Sequence, residues 1–224
     1  MMKHLKLVAL AAACLGLAAG TASAQMGMGM RPSMPHGVFN PVVGSGSVYQ
    51  TTSATDGKKT DIEFAIVGRE AVNGKDGYWM EYSFNAGNGD MVMKTLIVPG
   101  DATTVSRMIM QMPGRPPMEM AGQMAGHMNG GAQSAASDIR SSAEDVGSES
   151  ITVPAGTFTC EHYRMKDGSG DTWISTKVAP FGVVKHQGKD STMVLMRTVS
   201  DAKDKITGTP QPFNPAMMMQ QSQQ

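Results

Sequence analysis

The feature that most limits the fold is a spacing. Short β-favouring runs at 47–54, 61–70, 78–85 and 91–98 are separated only by turn clusters: Asp56-Gly57, Asn73-Gly74-Lys75-Asp76-Gly77 and Gly87-Asn88-Gly89-Asp90. A parallel pair of strands needs a crossover of a dozen residues or more, and these gaps leave no room for one. The runs therefore predict an antiparallel meander. In the second run Ile62, Phe64 and Ile66 alternate with Asp61, Glu63 and Ala65, giving a strand with one wet face. In the third, Tyr78, Met80, Tyr82 and Phe84 share a face, with Trp79, Glu81 and Ser83 on the other.

A second set of runs begins after a long interval. Residues 151–153 and 157–165 flank Pro154-Ala155-Gly156, a tight reversal in which the glycine supplies positive φ. Runs at 171–175, 182–187 and 192–200 follow. Asp167-Gly168-Ser169-Gly170-Asp171 opens like a calcium loop, but Thr172 stands where the loop needs glycine and Val178 where it needs glutamate. It reads as a hairpin turn.

Aromatic residues locate the core, and none falls between Asn85 and Thr157. The stretch at about 99–150 is accordingly an insert between two β-rich halves. Short helices are expected in it at 103–112, 118–128 and 137–146, the last capped by Ser137 or Asp138. Ordering a residue costs roughly 1–2 kcal/mol, and few branched apolar side chains offset that here. The insert is expected to be the most mobile part of the chain, suited to act as a lid. The Met-, Pro-, Gly- and Gln-rich segments 25–46 and 209–224 are expected to be disordered, which leaves one domain over 47–208.

Residues 1–24 have the layout of a secretory signal: Lys3 and Lys6, an apolar run from Leu7 to Gly20, then Ala22-Ser23-Ala24. The expected location is periplasmic or extracellular. Anchoring as a lipoprotein through Cys14 is disfavoured, because apolar chain continues past it. Cleavage leaves Cys160 as the one thiol, expected to be buried. No other stretch is apolar enough to span a bilayer, so an integral membrane protein is not expected. With 19 basic and 19 acidic residues the net charge is zero, which offers no footprint for nucleic acid or anionic lipid.

The second half carries a resemblance. Val153-Pro154-Ala155-Gly156-Thr157-Phe158-Thr159-Cys160, then Trp173-Ile174-Ser175, then Val178-Ala179-Pro180-Phe181-Gly182-Val183-Val184-Lys185 resembles uncharacterised bacterial exported domains. These are similar in pattern to the outer-membrane lipoprotein-carrier (Lol) superfamily. The resemblance implies a mainly β (α+β) fold: a curved antiparallel sheet, an unclosed half-barrel, with helices over its concave face. No catalytic residues travel with it.

Signatures of hydrolases, zinc proteases and phosphate loops are absent, so no enzyme is expected. Cys160 and His162 fall on one face of a strand and could pair as thiol and imidazole, though no third orienting group accompanies them. The leading expectation is a binding module for an apolar or lipid-like ligand, with Phe64, Tyr82 and Trp173 lining the concave face. The chain also contains 22 methionines. Thioethers are soft ligands that suit Cu(I), so copper handling is the alternative. Its candidate ligands are Met120, Met124, His127 and Met128 on one helical face, with Met26, Met28, Met30 and Met34 as an independent cluster. A structural envelope partner is the third reading.

Overall fold

Turn chemistry sets the registers. Asn73 and Gly74 take φ of 50° and 78°, the conformation a two-residue hairpin requires. Strand β2 (Lys59–Val72) therefore turns directly into β3 (Lys75–Asn85), pairing Phe64 with Tyr82 and Ile62 with Phe84. Pro154-Ala155-Gly156 makes the forecast reversal between β7 (Ala143–Val153) and β8 (Gly156–Met165), with Gly156 at φ 131°. The Asp167 turn joins β8 to β9 (Gly170–Ile174), its carboxylate accepting the Ser169 N–H at 2.8 Å.

The computed structural model describes residues 37–99, 104–121, 125 and 138–213. The remaining strands are β1 (Gly46–Ser53), β4 (Asp90–Val98), β5 (Thr104–Gln111), β6 (Met118–Ala121), β10 (Val183–Gly188), β11 (Ser191–Val199) and β12 (Gln211–Pro212). All twelve form one open, curved sheet in the order β12-β6-β5-β4-β3-β2-β1-β11-β10-β9-β8-β7. Every pairing is antiparallel except the short β12–β6 contact. The two meanders meet at a seam where β1 pairs with β2 on one side and β11 on the other. Bulges at Val48/Tyr49, Ile66/Gly68, Leu96/Ile97 and Asp145/Gly147 bend the strands.

The helical insert is corrected where the structure describes strand in its place, at 104–111, 118–121 and 143–150; Ala125 is helical, and 122–124 and 126–137 lie outside the described residues. Residues 104–111 form β5, whose register places Met108 and Met110 beside Thr95 and Met93 of β4. Methionine is a good helix former, but here pairing with β4 overrides propensity. The first turn of the helix expected at 118–128 is strand β6 instead. In the third, Asp138 does cap, accepting the Arg140 N–H at 3.0 Å, but only a 3-10 turn, Ile139–Ser141, follows before β7 begins. Among the described residues no helix is long and apolar enough to cross a membrane.

One sheet face is closed by rings. Phe64 is fully buried, edge-on to Phe181 at 5.6 Å and to Tyr49 at 6.0 Å. The Tyr49 hydroxyl donates to the Val183 carbonyl across the seam at 2.9 Å. The N-terminal arm docks beside it: Val38 and Asn40 N–H groups bond the Phe181 and Pro180 carbonyls, and Phe39 packs against Phe181 with its ring tilted, centroids 5.7 Å apart. A Cβ on Gly37 would lie 2.0 Å from the Phe181 oxygen, so only glycine permits this approach.

The other face of the first meander is covered by a strap, residues 201–207. Ile206 packs on Trp79, Leu96 and Ile109. The Lys205 N–H donates to Glu81 at 2.9 Å, and its ammonium reaches Ser83 at 2.8 Å and Glu63 at 3.0 Å. Asp204 pairs with Lys94, and Thr207 exchanges hydrogen bonds with Gln111. Glu81, Ser83 and Lys94 are thereby buried with partners. Burial holds the Glu81 carboxyl up to about 7, from an ordinary 4.5, against the opposing Lys205 hydrogen bond.

A raised carboxyl pKa means that the folded chain keeps a proton the unfolded chain has lost. That contribution is complete below about pH 4.5, fades as pH rises, and is gone above about 7. It amounts to on the order of 3 kcal/mol. Glu81→Gln keeps an acceptor for Lys205 but cannot titrate. Its urea midpoint should vary less than the wild type's between pH 5 and 8; equal slopes in the two proteins would exclude this account.

Candidate functional site

The three residues expected to line a ligand cavity have different surroundings. Phe64 and Tyr82 lie together, rings 5.2 Å apart, within the packed core. Trp173 joins the same apolar cluster, but its ring stacks on His162 at 4.5 Å and lies under the Lys185 ammonium at 4.6 Å. Its indole N–H donates to Glu149. None of the three borders the recess of about 280 Å³ at Asp90, Val92, Gln111, Pro113 and Lys205.

What is half-open on the Phe64 face is a methionine surface. The registers align Phe64, Tyr82, Met93, Met110 and Met118 in one row across β2 to β6. On one side of it run Ile66, Met80, Thr95, Met108 and Met120; on the other, Ile62, Phe84 and Met91. Burial is graded across these rows. Met80, Met108 and Met120 are fully buried, whereas Phe84, Met91, Met93, Met110 and Met118 are half-buried. Phe213 packs at the β6 end, where its N–H bonds the Glu119 carbonyl at 2.8 Å. The Tyr82 phenol is the one ionisable group in these rows, and burial pushes it up to about 12. The surface is uncharged, soft and adaptable, because methionine is unbranched, flexible and polarisable.

The expected metal ligands divide. Met120 is buried opposite Met108 in β6, so it stands on a strand rather than on a helical face. Met124, His127 and Met128 lie outside the described residues, as do Met26, Met28, Met30 and Met34. Met108, Met110, Met112 and Met118 stand out in the sequence as members of the same methionine cluster as Met120, but the alignment of Met110 and Met118 with Met93 on one sheet face was missed, although a signal existed. Met91/Met93, Met108/Met110/Met112 and Met118/Met120 all repeat at a spacing of two, which is the period of strands that carry a methionine face.

Cys160 is buried, its thiol directed at the Phe158 carbonyl, and burial pushes it up to about 11. The His162 ring nitrogens face Glu149 at 3.1 Å and Asp171 at 2.8 Å, so both are engaged by carboxylates rather than by the thiol. A nucleophile needs the thiolate and a base at its proton. Neither condition holds here.

No protein-family model matches the chain, and neither does any curated protein. Among solved structures it is similar to a candidate lipoprotein from Parabacteroides distasonis, with 15% identity and a TM-score of 0.35 over 74% of this chain and 100% of that one. It is also similar to a candidate exported protein with a YmcC-like fold from Bacteroides fragilis, with 14% identity and a TM-score of 0.35 over 73% and 99% of the two chains. Similarity this slight assigns no function.

Two measurements separate core from surface. Phe64→Ala should cost about 3–5 kcal/mol in urea unfolding, and Met93→Ala or Met110→Ala less than half of that. The Cys160 thiol should resist a chromogenic disulfide reagent at pH 8 in the native protein and react at once in denaturant. Rapid native labelling would show that edge strand β7 opens away from β8.

Proposed function

We propose that this chain is an exported, non-enzymatic binding module that takes an apolar or amphiphilic ligand bearing an acyl chain. The surface that receives it is the half-buried set Phe84, Met91, Met93, Met110 and Met118, with Tyr82 and Phe64 as its floor. The observation that carries this reading is the graded burial across three registered rows. Flexible thioethers left half-open at the margin of a packed core form a surface on which an apolar chain can continue that core. Export rests on the signal-like residues 1–24.

The energetics are favourable without any polar contact. Each buried methylene contributes about 0.8 kcal/mol, so an alkyl chain of ten carbons gives about 8 kcal/mol before ordering costs. Methionines can re-pack around chains of different length, which suits a ligand recognised by shape and apolarity.

A fluorescent fatty acid should bind the purified protein and be displaced by unlabelled oleate. Met93→Glu or Met110→Glu should weaken that binding at least tenfold, since a charge would have to be buried under the chain. Met93→Leu should change it less than about twofold, because it conserves apolar bulk. Native mass spectrometry of protein from its own host should show a bound species that organic solvent extracts. Absence of probe binding, or equal binding by the Glu variants, would overturn the reading.

A further inference from the structure

Three of the half-buried methionines share more than apolar bulk. Met93, Met110 and Met118 are direct cross-strand neighbours, one from each of β4, β5 and β6. Adjacent strands run about 4.8 Å apart, and each sulfur sits on a flexible unbranched chain. Three thioethers in such a row can close on a single ion without moving the backbone. We infer that Met93, Met110 and Met118 form a sheet-borne site for a soft monovalent cation, Cu(I).

The ligand chemistry selects the ion. Thioethers are uncharged and soft, so they favour Cu(I) over Zn(II), Ca²⁺ or Mg²⁺, which want imidazole, thiolate or oxygen. The row holds no carboxylate and no imidazole; its next member is Tyr82, whose ring face also attracts a cation. Half-burial shields the ion from part of its water, while the partial opening leaves it a way in. Hydrogen-bonded strands fix the three Cα positions, so the ligands are placed before the ion arrives. This site is separate from the set expected around a helical Met120. Met120 belongs to the neighbouring, fully buried row and faces Met108.

The inference uses the surface of the proposed ligand site but depends on sulfur rather than on apolar bulk, and the two can fail separately. Protein labelled with ¹³C-methyl methionine is titrated with Ag(I), a redox-stable stand-in for Cu(I). The methyl resonances of Met93, Met110 and Met118 should shift together and saturate at one ion per chain. In competition with bicinchoninate, the triple change Met93→Leu, Met110→Leu and Met118→Leu should lower Cu(I) affinity at least tenfold. The same variant should keep the wild-type far-UV circular dichroism spectrum and a cooperative urea transition, which reports that the sheet is intact. Zn(II) should shift none of the three resonances. Shifts confined to Met26, Met28, Met30, Met34, Met124 or Met128, no shifts at all, or undiminished Cu(I) affinity in the triple variant would overturn the site. Metal-induced shifts without fatty-acid binding would overturn the ligand reading alone.

Discussion

A sheet of twelve strands has two faces, and the apolar part of each must be covered. Phe64 is the point from which one face is closed. It lies on β2, yet its ring meets Phe181 from the far side of the seam and Tyr49 from the seam itself. Those contacts join the two meanders into one core, and the Tyr49 hydroxyl secures the joint by donating to Val183. The burial of Met80, Met108 and Met120 continues outward from that centre. Where it thins, the half-buried methionine surface begins.

The opposite face is handled by different chemistry. Ile206 supplies a small apolar plug over Trp79, but most of the strap binds through hydrogen bonds and ion pairs to Glu63, Glu81, Ser83 and Lys94. Paired buried charges offer little net stability compared with apolar packing, yet leaving one of them alone is costly. The strap is thus strongly specified in position. One side of the sheet is locked by polar partners, while the other grades from packed rings to adaptable thioethers.

Much of this was legible in the sequence. Asn73-Gly74, Pro154-Ala155-Gly156 and the Asp167 turn announced their hairpins because positive φ and side-chain turn bonds are local requirements. The alternation of Tyr78, Met80, Tyr82 and Phe84 against Trp79, Glu81 and Ser83 was readable for the same reason. Strand β5 was not, since Thr-Val-Ser-Arg-Met-Ile-Met-Gln satisfies helix and strand alike and only its pairing with β4 decides. Nor was the first part of β7, at 143–150, an edge segment whose solvent-facing Glu144, Asp145 and Ser148 leave little apolar pattern to read; only its end at 151–153 was. The strap carries no local signature at all, because its hydrogen-bond partners lie 96 or more residues earlier. For the candidate site, methionine was visible as a composition, but the row of Met93, Met110 and Met118 exists only through registers.

The seam has a further meaning for a chain that emerges N-terminus first. Strand β1 is among the earliest described segments, yet its second neighbour, β11, ends at Val199, and the strap follows later still. Until those residues are available, β1 remains an open edge and the β2–β5 sheet keeps one face bare. Pairings of such long sequence separation form slowly. The nascent chain consequently stays unfinished until β11 and the strap have emerged, and the joint between the two meanders is among the last parts of the fold to close.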